Sequence, residues 1–349
     1  MRARPLFASL LAVLPLIAAA GWPGMAAAEP PASTPPVAER EAAASDRLPL
    51  HGETVLQLAT IPQAREVLGA EDLFSRSLSS FDRQSRLQSD KEVSNGEFLR
   101  FAAGEAQAWT DDEREKLAGI VRQLREDLAP FRLPLPPRIW LIKTSGREEG
   151  NAAYCRHEAI VLPQRVVDRP PASLRSLLAH ELFHILSRGN PRLREQLYAI
   201  IGFRPCEPIE LPPALRDRKI TNPDAPRVEH YITLQHGGRE VHAAPILYAR
   251  TERYRPEDGG PFFRFLEFRL MVIERAGDGW RPLLVDGKPV LINARENVSY
   301  FRQIGRNTDY IIHPDEILAD NFVLLVLGNP SIKTPRIVEA MRRRLQATE

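Results

Sequence analysis

Residues 171–189 read PASLRSLLAHELFHILSRG, and the reading of this stretch decides the fold. Pro170 and Pro171 suit a first helical turn, and Leu174, Leu177, Leu178, Leu182, Ile185 and Leu186 recur at helical spacing. Arg188 and Gly189 mark an end. The run predicts one helix, and inside it stands His180-Glu181-Leu182-Phe183-His184. Residues at i and i+4 share one helix face. His180 and His184 therefore point the same way and can grip one metal ion. Glu181, beside the first ligand, is placed to act as general base toward a water. The five-residue pattern also arises by chance in long chains, and the apolar helical run around it is what gives it weight.

Two histidines do not complete a site. A catalytic zinc usually takes three protein ligands and keeps a fourth position open. A continuation of the type H-E-x-x-H-x-x-G-x-x-H fails, because Ser187 stands where the glycine belongs and Asn190 where the last histidine belongs. The stretch from His313 through Pro314, Asp315 and Glu316 to Asp320 is the better option. Pro314 suits a first turn, so Glu316 and Asp320 fall on one helix face at i, i+4. Glu316 can bind the metal while Asp320 accepts a hydrogen bond from a ligand imidazole. The alternative is an acidic first turn stabilised by the helix dipole.

An H-E-x-x-H helix followed by this Glu-x-x-x-Asp helix resembles the gluzincin metallopeptidases, the thermolysin-like clan. The resemblance implies a zincin-like fold and a Zn²⁺ cofactor held by His180, His184 and Glu316, with Asp320 orienting an imidazole. It also implies Glu181 as the catalytic base and a peptide or protein as substrate. Asn151-Ala152-Ala153-Tyr154, ahead of the metal helix, looks like the Asn-Ala edge strand with which such enzymes bind a substrate backbone. An unpaired strand edge is a natural receptor for an extended peptide. An ordinary core strand with Asn151 in its preceding turn is the other reading. Tyr310, with His313 and Tyr300 behind it, is the candidate for stabilising an oxyanion. The chain departs from the type pattern in that roughly 130 residues separate His184 from Glu316. The resemblance covers residues 137–187 and 313–327, a minority of the chain.

The whole chain has 349 residues, is 43% hydrophobic and 26% charged, and so has the composition of a globular protein with a substantial core. Its formal charge is +2, and Arg2 and Arg4 supply that excess. With no polybasic tract, nothing argues for nucleic acid, and Arg342 to Arg344 read as the solvated face of an amphipathic helix. Residues 1–28 read as a signal peptide: a positive start, an apolar run from Leu6 to Ala20, and Ala26-Ala27-Ala28 before Glu29. This implies a secreted or periplasmic protein with no membrane span once the signal is removed. Residues 29–46 are Pro/Ala-rich and read as a disordered linker. Cys155 and Cys206 can pair in an oxidising compartment or remain free thiols.

The expected fold class is α+β. Residues 47–204 form a zincin-like N-terminal lobe of mostly short helices up to Ala108, then a helix capped at Thr110 and strands at 138–143 and 151–162. Residues 205–297 alternate apolar and polar between turn signals and read as a β-rich insertion. Residues 298–349 form a helical C-terminal lobe carrying the third ligand. Two other functions compete with the peptidase: a non-catalytic envelope binding module with zinc as a structural pin, and a zinc amidase acting on cell-wall peptides. Glu181 favours chemistry, since a structural site has no use for that carboxylate and normally closes with four protein ligands.

Overall fold

The computed structural model describes residues 46–328 and 332–346. The signal-like segment and the linker up to residue 45 lie outside the described residues. The chain begins with β1 (Arg47–His51) and β2 (Thr54–Leu58), an antiparallel hairpin. This corrects the expectation of short helices from residue 48. Leu48 and Leu50, then Thr54, Leu56 and Leu58, are buried at every second position, a two-residue period that is hard to read in strands of five residues.

Four short helices follow, α1 (Ile61–Gly69), α2 (Leu73–Ser77), α3 (Ser80–Leu87) and α4 (Asn95–Gly104). Then come β3 (Ala106–Gln107) and α5 (Asp111–Leu128). At the start of α5 the Thr110 hydroxyl accepts the Glu113 N–H at 3.3 Å and the Glu113 carboxylate accepts the Thr110 N–H at 2.9 Å, the expected capping box. The sheet is completed by β4 (Arg138–Thr144), β5 (Tyr154–Arg156) and β6 (Ala159–Pro163). Its order is β1-β2-β4-β6-β5, with β2, β4 and β6 parallel and β5 antiparallel at the edge.

After a single turn, α6 (Gln164–Val167), comes the long helix α7 (Pro171–Gly189), which starts at the proline and ends at the glycine as the sequence indicates, followed by α8 (Pro191–Ile200). The β-rich stretch forms a second sheet from β7 (Phe203–Pro205), then, beyond a short α9 (Pro213–Arg216), β8 (His230–His236), β9 (Arg239–Ala249), β10 (Leu266–Ala276) and β11 (Gly279–Pro282). These pair antiparallel in the order β11-β10-β9-β8-β7. A hairpin of β12 (Leu284–Val285) and β13 (Lys288–Pro289) follows, and β14 (Leu291–Ile292) returns to β10. Within the β-rich stretch β10 begins only at Leu266, because Phe262–Arg264 makes a tight helical turn after the glycines of Gly259-Gly260-Pro261. The chain closes with α10 (Val298–Ile304), α11 (Pro314–Leu327) and α12 (Pro335–Gln346).

The β-rich segment is not an appendage. One continuous core joins Leu56 and Leu141 of the first sheet, Leu182 and Phe183 of α7, Ile232 and Leu270 of the second sheet, Phe322 of α11 and Met341 of α12. Helices α7 and α11 are buried over most of their circumference, as helices crossing a core must be. They pack on one another, with the Phe183 and Phe322 rings 5.7 Å apart. Truncating either ring at this contact is expected to cost about 3–5 kcal/mol. That contact sets the register between the two helices that carry the polar residues described next.

Candidate metal centre

α7 places His180 and His184 one turn apart, their rings 4.8 Å centre to centre. α11 opens with His313 as its cap and Pro314 in its first turn, which brings Glu316 over the two rings. Glu316 Oε2 lies 3.1 Å from His180 Nε2 and 3.5 Å from His184 Nε2. The three donor atoms all lie within 4.8 Å of one another.

The far nitrogen of each ring is anchored by a carboxylate. His180 Nδ1 donates to Asp320 Oδ1 at 2.9 Å, and the Thr308 hydroxyl donates to the other Asp320 oxygen. His184 Nδ1 donates to Asp315 Oδ2 at 2.7 Å. Asp315 Oδ1 in turn accepts the hydroxyls of Ser187 at 2.7 Å and Tyr198 at 2.6 Å. Sequence reasoning reached Asp320 but passed over Asp315. The sole signal for Asp315 was its place beside Glu316 in the first turn, where a carboxylate is expected for the dipole alone. Asn222 was also missed. Its Nδ2 donates to Glu316 Oε1 at 2.6 Å from a loop with no local motif.

These residues fit a divalent metal. With both Nδ1–H groups committed to carboxylates, each Nε2 turns its lone pair toward a carboxylate oxygen, an arrangement that needs a cation between them. Protons meet that need when a metal does not. Burial alone would depress His180, but hydrogen bonds to Asp320 and Glu316 outweigh it and raise its pKa to about 10. Burial opposes charge on His184 too, and is overcome by the Asp224 and Glu316 carboxylates and the Asp315 hydrogen bond, which hold its pKa well up. Glu316 is the counterpart: burial would raise it, yet the His184 charge and both imidazole hydrogen bonds hold it well below the carboxylate range. Two imidazole nitrogens and one carboxylate oxygen are a donor set suited to Zn²⁺.

The three donors open on a cleft of about 620 Å³. Glu181 lines it and is 2% exposed. Its Oε2 accepts the Cys155 thiol at 3.3 Å. Burial, opposed by the His184 charge and reinforced by Asp224, pushes Glu181 up to about 7. Tyr310 lines the same cleft with its ring centre 6.4 Å from that of His180. Burial of the phenol, then the Glu316 and Asp224 carboxylates, push its pKa well up, although 43% of the residue is exposed. The other two oxyanion candidates are packed elsewhere. Tyr300 is fully buried with its hydroxyl donating to Ile311 O at 2.8 Å, and His313 caps α11 by accepting the Asp315 N–H at 3.1 Å.

The expected Asn151–Tyr154 strand is shorter than the sequence suggests. Asn151 sits in a turn at φ 66°, and β5 begins only at Tyr154. Ala152, Ala153 and Tyr154 line the cleft, whereas Asn151 does not. Asparagine tolerates the left-handed conformation that this turn requires, which explains the residue type without a role toward substrate. Cys155 and Cys206 are both free, the first buried and the second partly exposed, so the possible disulfide is not formed. Compared with known protein families, with curated proteins and with solved structures, the chain shows no match.

Proposed function

We propose that this protein is a zinc-dependent metallopeptidase of gluzincin type, with a zincin-like fold. The observation that carries the reading is the convergence of His180, His184 and Glu316 on one point, with the Glu181 carboxylate facing the same cleft. When bound, Zn²⁺ supplies Lewis acidity that polarises the scissile carbonyl and the attacking water. Glu181 accepts a proton from that water and delivers it to the leaving amine as the C–N bond breaks. A carboxylate whose pKa burial has raised to about 7 is suited to both transfers near neutral pH. Tyr310, kept protonated, donates to the oxygen on which negative charge develops. The main chain at Ala153 holds the substrate backbone by strand pairing.

A structural zinc pin is disfavoured because, among the described residues, no fourth His, Cys, Asp or Glu joins the three donors, while the cleft lies open beside them. The signal-like leader supports a secreted or periplasmic site of action. No described helix is long and apolar enough to cross a membrane.

The test is direct. Purified protein is expected to carry about one zinc per chain and to lose activity with chelators. Glu181→Gln is expected to keep the zinc and lose turnover by roughly two to four orders of magnitude. Undiminished peptide hydrolysis in that variant would refute the mechanism.

A further inference from the structure

The outer edge of β5 is blocked along most of its length, and the block has a chemistry. The Cys155 N–H donates to Asp224 Oδ1 at 3.2 Å, and the Cys155 carbonyl accepts from Arg188 Nη2 at 3.3 Å. The backbone of Cys155 therefore faces away from β6, whereas its neighbours Tyr154 and Arg156 turn theirs toward it. On the far side, the His157 carbonyl is taken by Arg188 Nη1 at 3.2 Å. On the near side stands Ala153, which lines the cleft and has no main-chain partner among the described residues. A peptide laid on this edge thus finds one pairing position beside the metal donors. Continued toward Cys155, it meets Asp224.

Asp224 is a wall between two cavities, the metal cleft in front and a smaller polar cavity of about 320 Å³ behind. Its Oδ1 is committed to Cys155 and to Arg188 at 3.0 Å, which leaves Oδ2 without a hydrogen bond among the described residues. The Arg188 Nη groups are turned onto the carbonyls of Cys155, His157 and Pro223 as well as onto Asp224. Glu149, another carboxylate lining the cleft, has both oxygens held by Arg86 at 2.8 and 2.5 Å. An α-carboxylate arriving here would face Asp224 with Glu181 beside it. An α-ammonium would find an acceptor in Oδ2.

We infer that the substrate is a peptide whose free α-amino group ends at Asp224, so that the protein removes residues from the amino terminus rather than cutting within chains. The inference rests on the peptidase reading above and adds the polarity and the end of the substrate. It also sets the direction of binding, with the amino end of the peptide toward Cys155.

A complex mixture of peptides, half of it N-acetylated, incubated with the zinc-loaded protein and followed by mass spectrometry, tests this. The free peptides are expected to shorten stepwise from the amino end while the acetylated ones persist. Cutting of acetylated peptides at comparable rates, or internal fragments appearing first, overturns the inference and leaves the peptidase reading standing. Cutting of neither set overturns both. Asp224→Asn keeps an acceptor for the Cys155 N–H but removes the charge. It is expected to raise KM for free peptides about ten-fold or more, with zinc content unchanged and kcat changed much less. An unchanged KM in the zinc-replete variant overturns the role of Asp224.

Discussion

Asn222 Nδ2 donates to Glu316 Oε1 at 2.6 Å, so one oxygen of Glu316 is held by the protein while the other faces both histidines. The loop that delivers Asn222 is itself pinned. The Thr221 N–H reaches both oxygens of Asp82 at 3.1 Å and its hydroxyl donates to Asp82 Oδ2 at 2.7 Å, so α3 braces the loop behind Glu316 from a distance. Asn222→Ala should free Glu316 to rotate and lower zinc affinity roughly ten- to hundred-fold, with little change in circular dichroism. Competition against a chromophoric chelator measures this, and an unaltered affinity would show that Glu316 is oriented without the amide.

The two carboxylates behind the histidines are expected to behave differently. Asp315 has a side chain 3% exposed and satisfies an imidazole and two hydroxyls, whereas the Asp320 side chain is 35% exposed. Asp315→Ala leaves the His184 imidazole and the Tyr198 hydroxyl without their buried acceptor and should cost about 3–5 kcal/mol of stability as well as zinc affinity. Asp320→Ala should lower zinc affinity while costing about 1 kcal/mol of stability or less. Denaturant melts paired with zinc titrations separate the two, and equal destabilisation by both variants would contradict the assignment.

Glu148 gives the fold a pH dependence unrelated to the metal. Its Oε1 accepts the Thr144 hydroxyl at 2.6 Å, its Oε2 is buried without a partner among the described residues, and burial pushes its pKa up to about 7. The folded protein holds this proton where the unfolded chain, with its ordinary carboxyl near 4.5, has released it. Stability is therefore lost as pH rises from about 4.5 to about 7 and is not regained above. Glu148→Gln should remove that slope and leave the variant more stable at about pH 8, by on the order of 3 kcal/mol, with no such gain at about pH 4. Urea midpoints across that range decide it, and parallel curves for the two proteins would rule it out.

Residues 171–189 and 314–327 were legible as helices, because each opens on a proline and then runs predominantly apolar over several turns without a breaker. The hairpin at 47–58 was not, because five residues show only two or three buried positions before the chain turns. The same limit applied at Asn151, where a turn in the left-handed region and the start of a strand look alike in sequence.

What the sequence by itself determined is the part of the site that helical geometry dictates: His180 with His184 on one face, Glu181 beside them, and Glu316 with Asp320 one turn apart. Those relations follow from 3.6 residues per turn and need no partner. Only the tertiary structure decided that the two helices meet at a register where Glu316 Oε2 reaches both imidazoles and Asp315 takes the second one. It also decided that Asn222 arrives from the β-rich segment and that Asp224 with Arg188 plugs the edge of β5. These contacts join residues many turns or strands apart in the chain. They depend on the packing of one shared core, which leaves no periodic trace in the sequence.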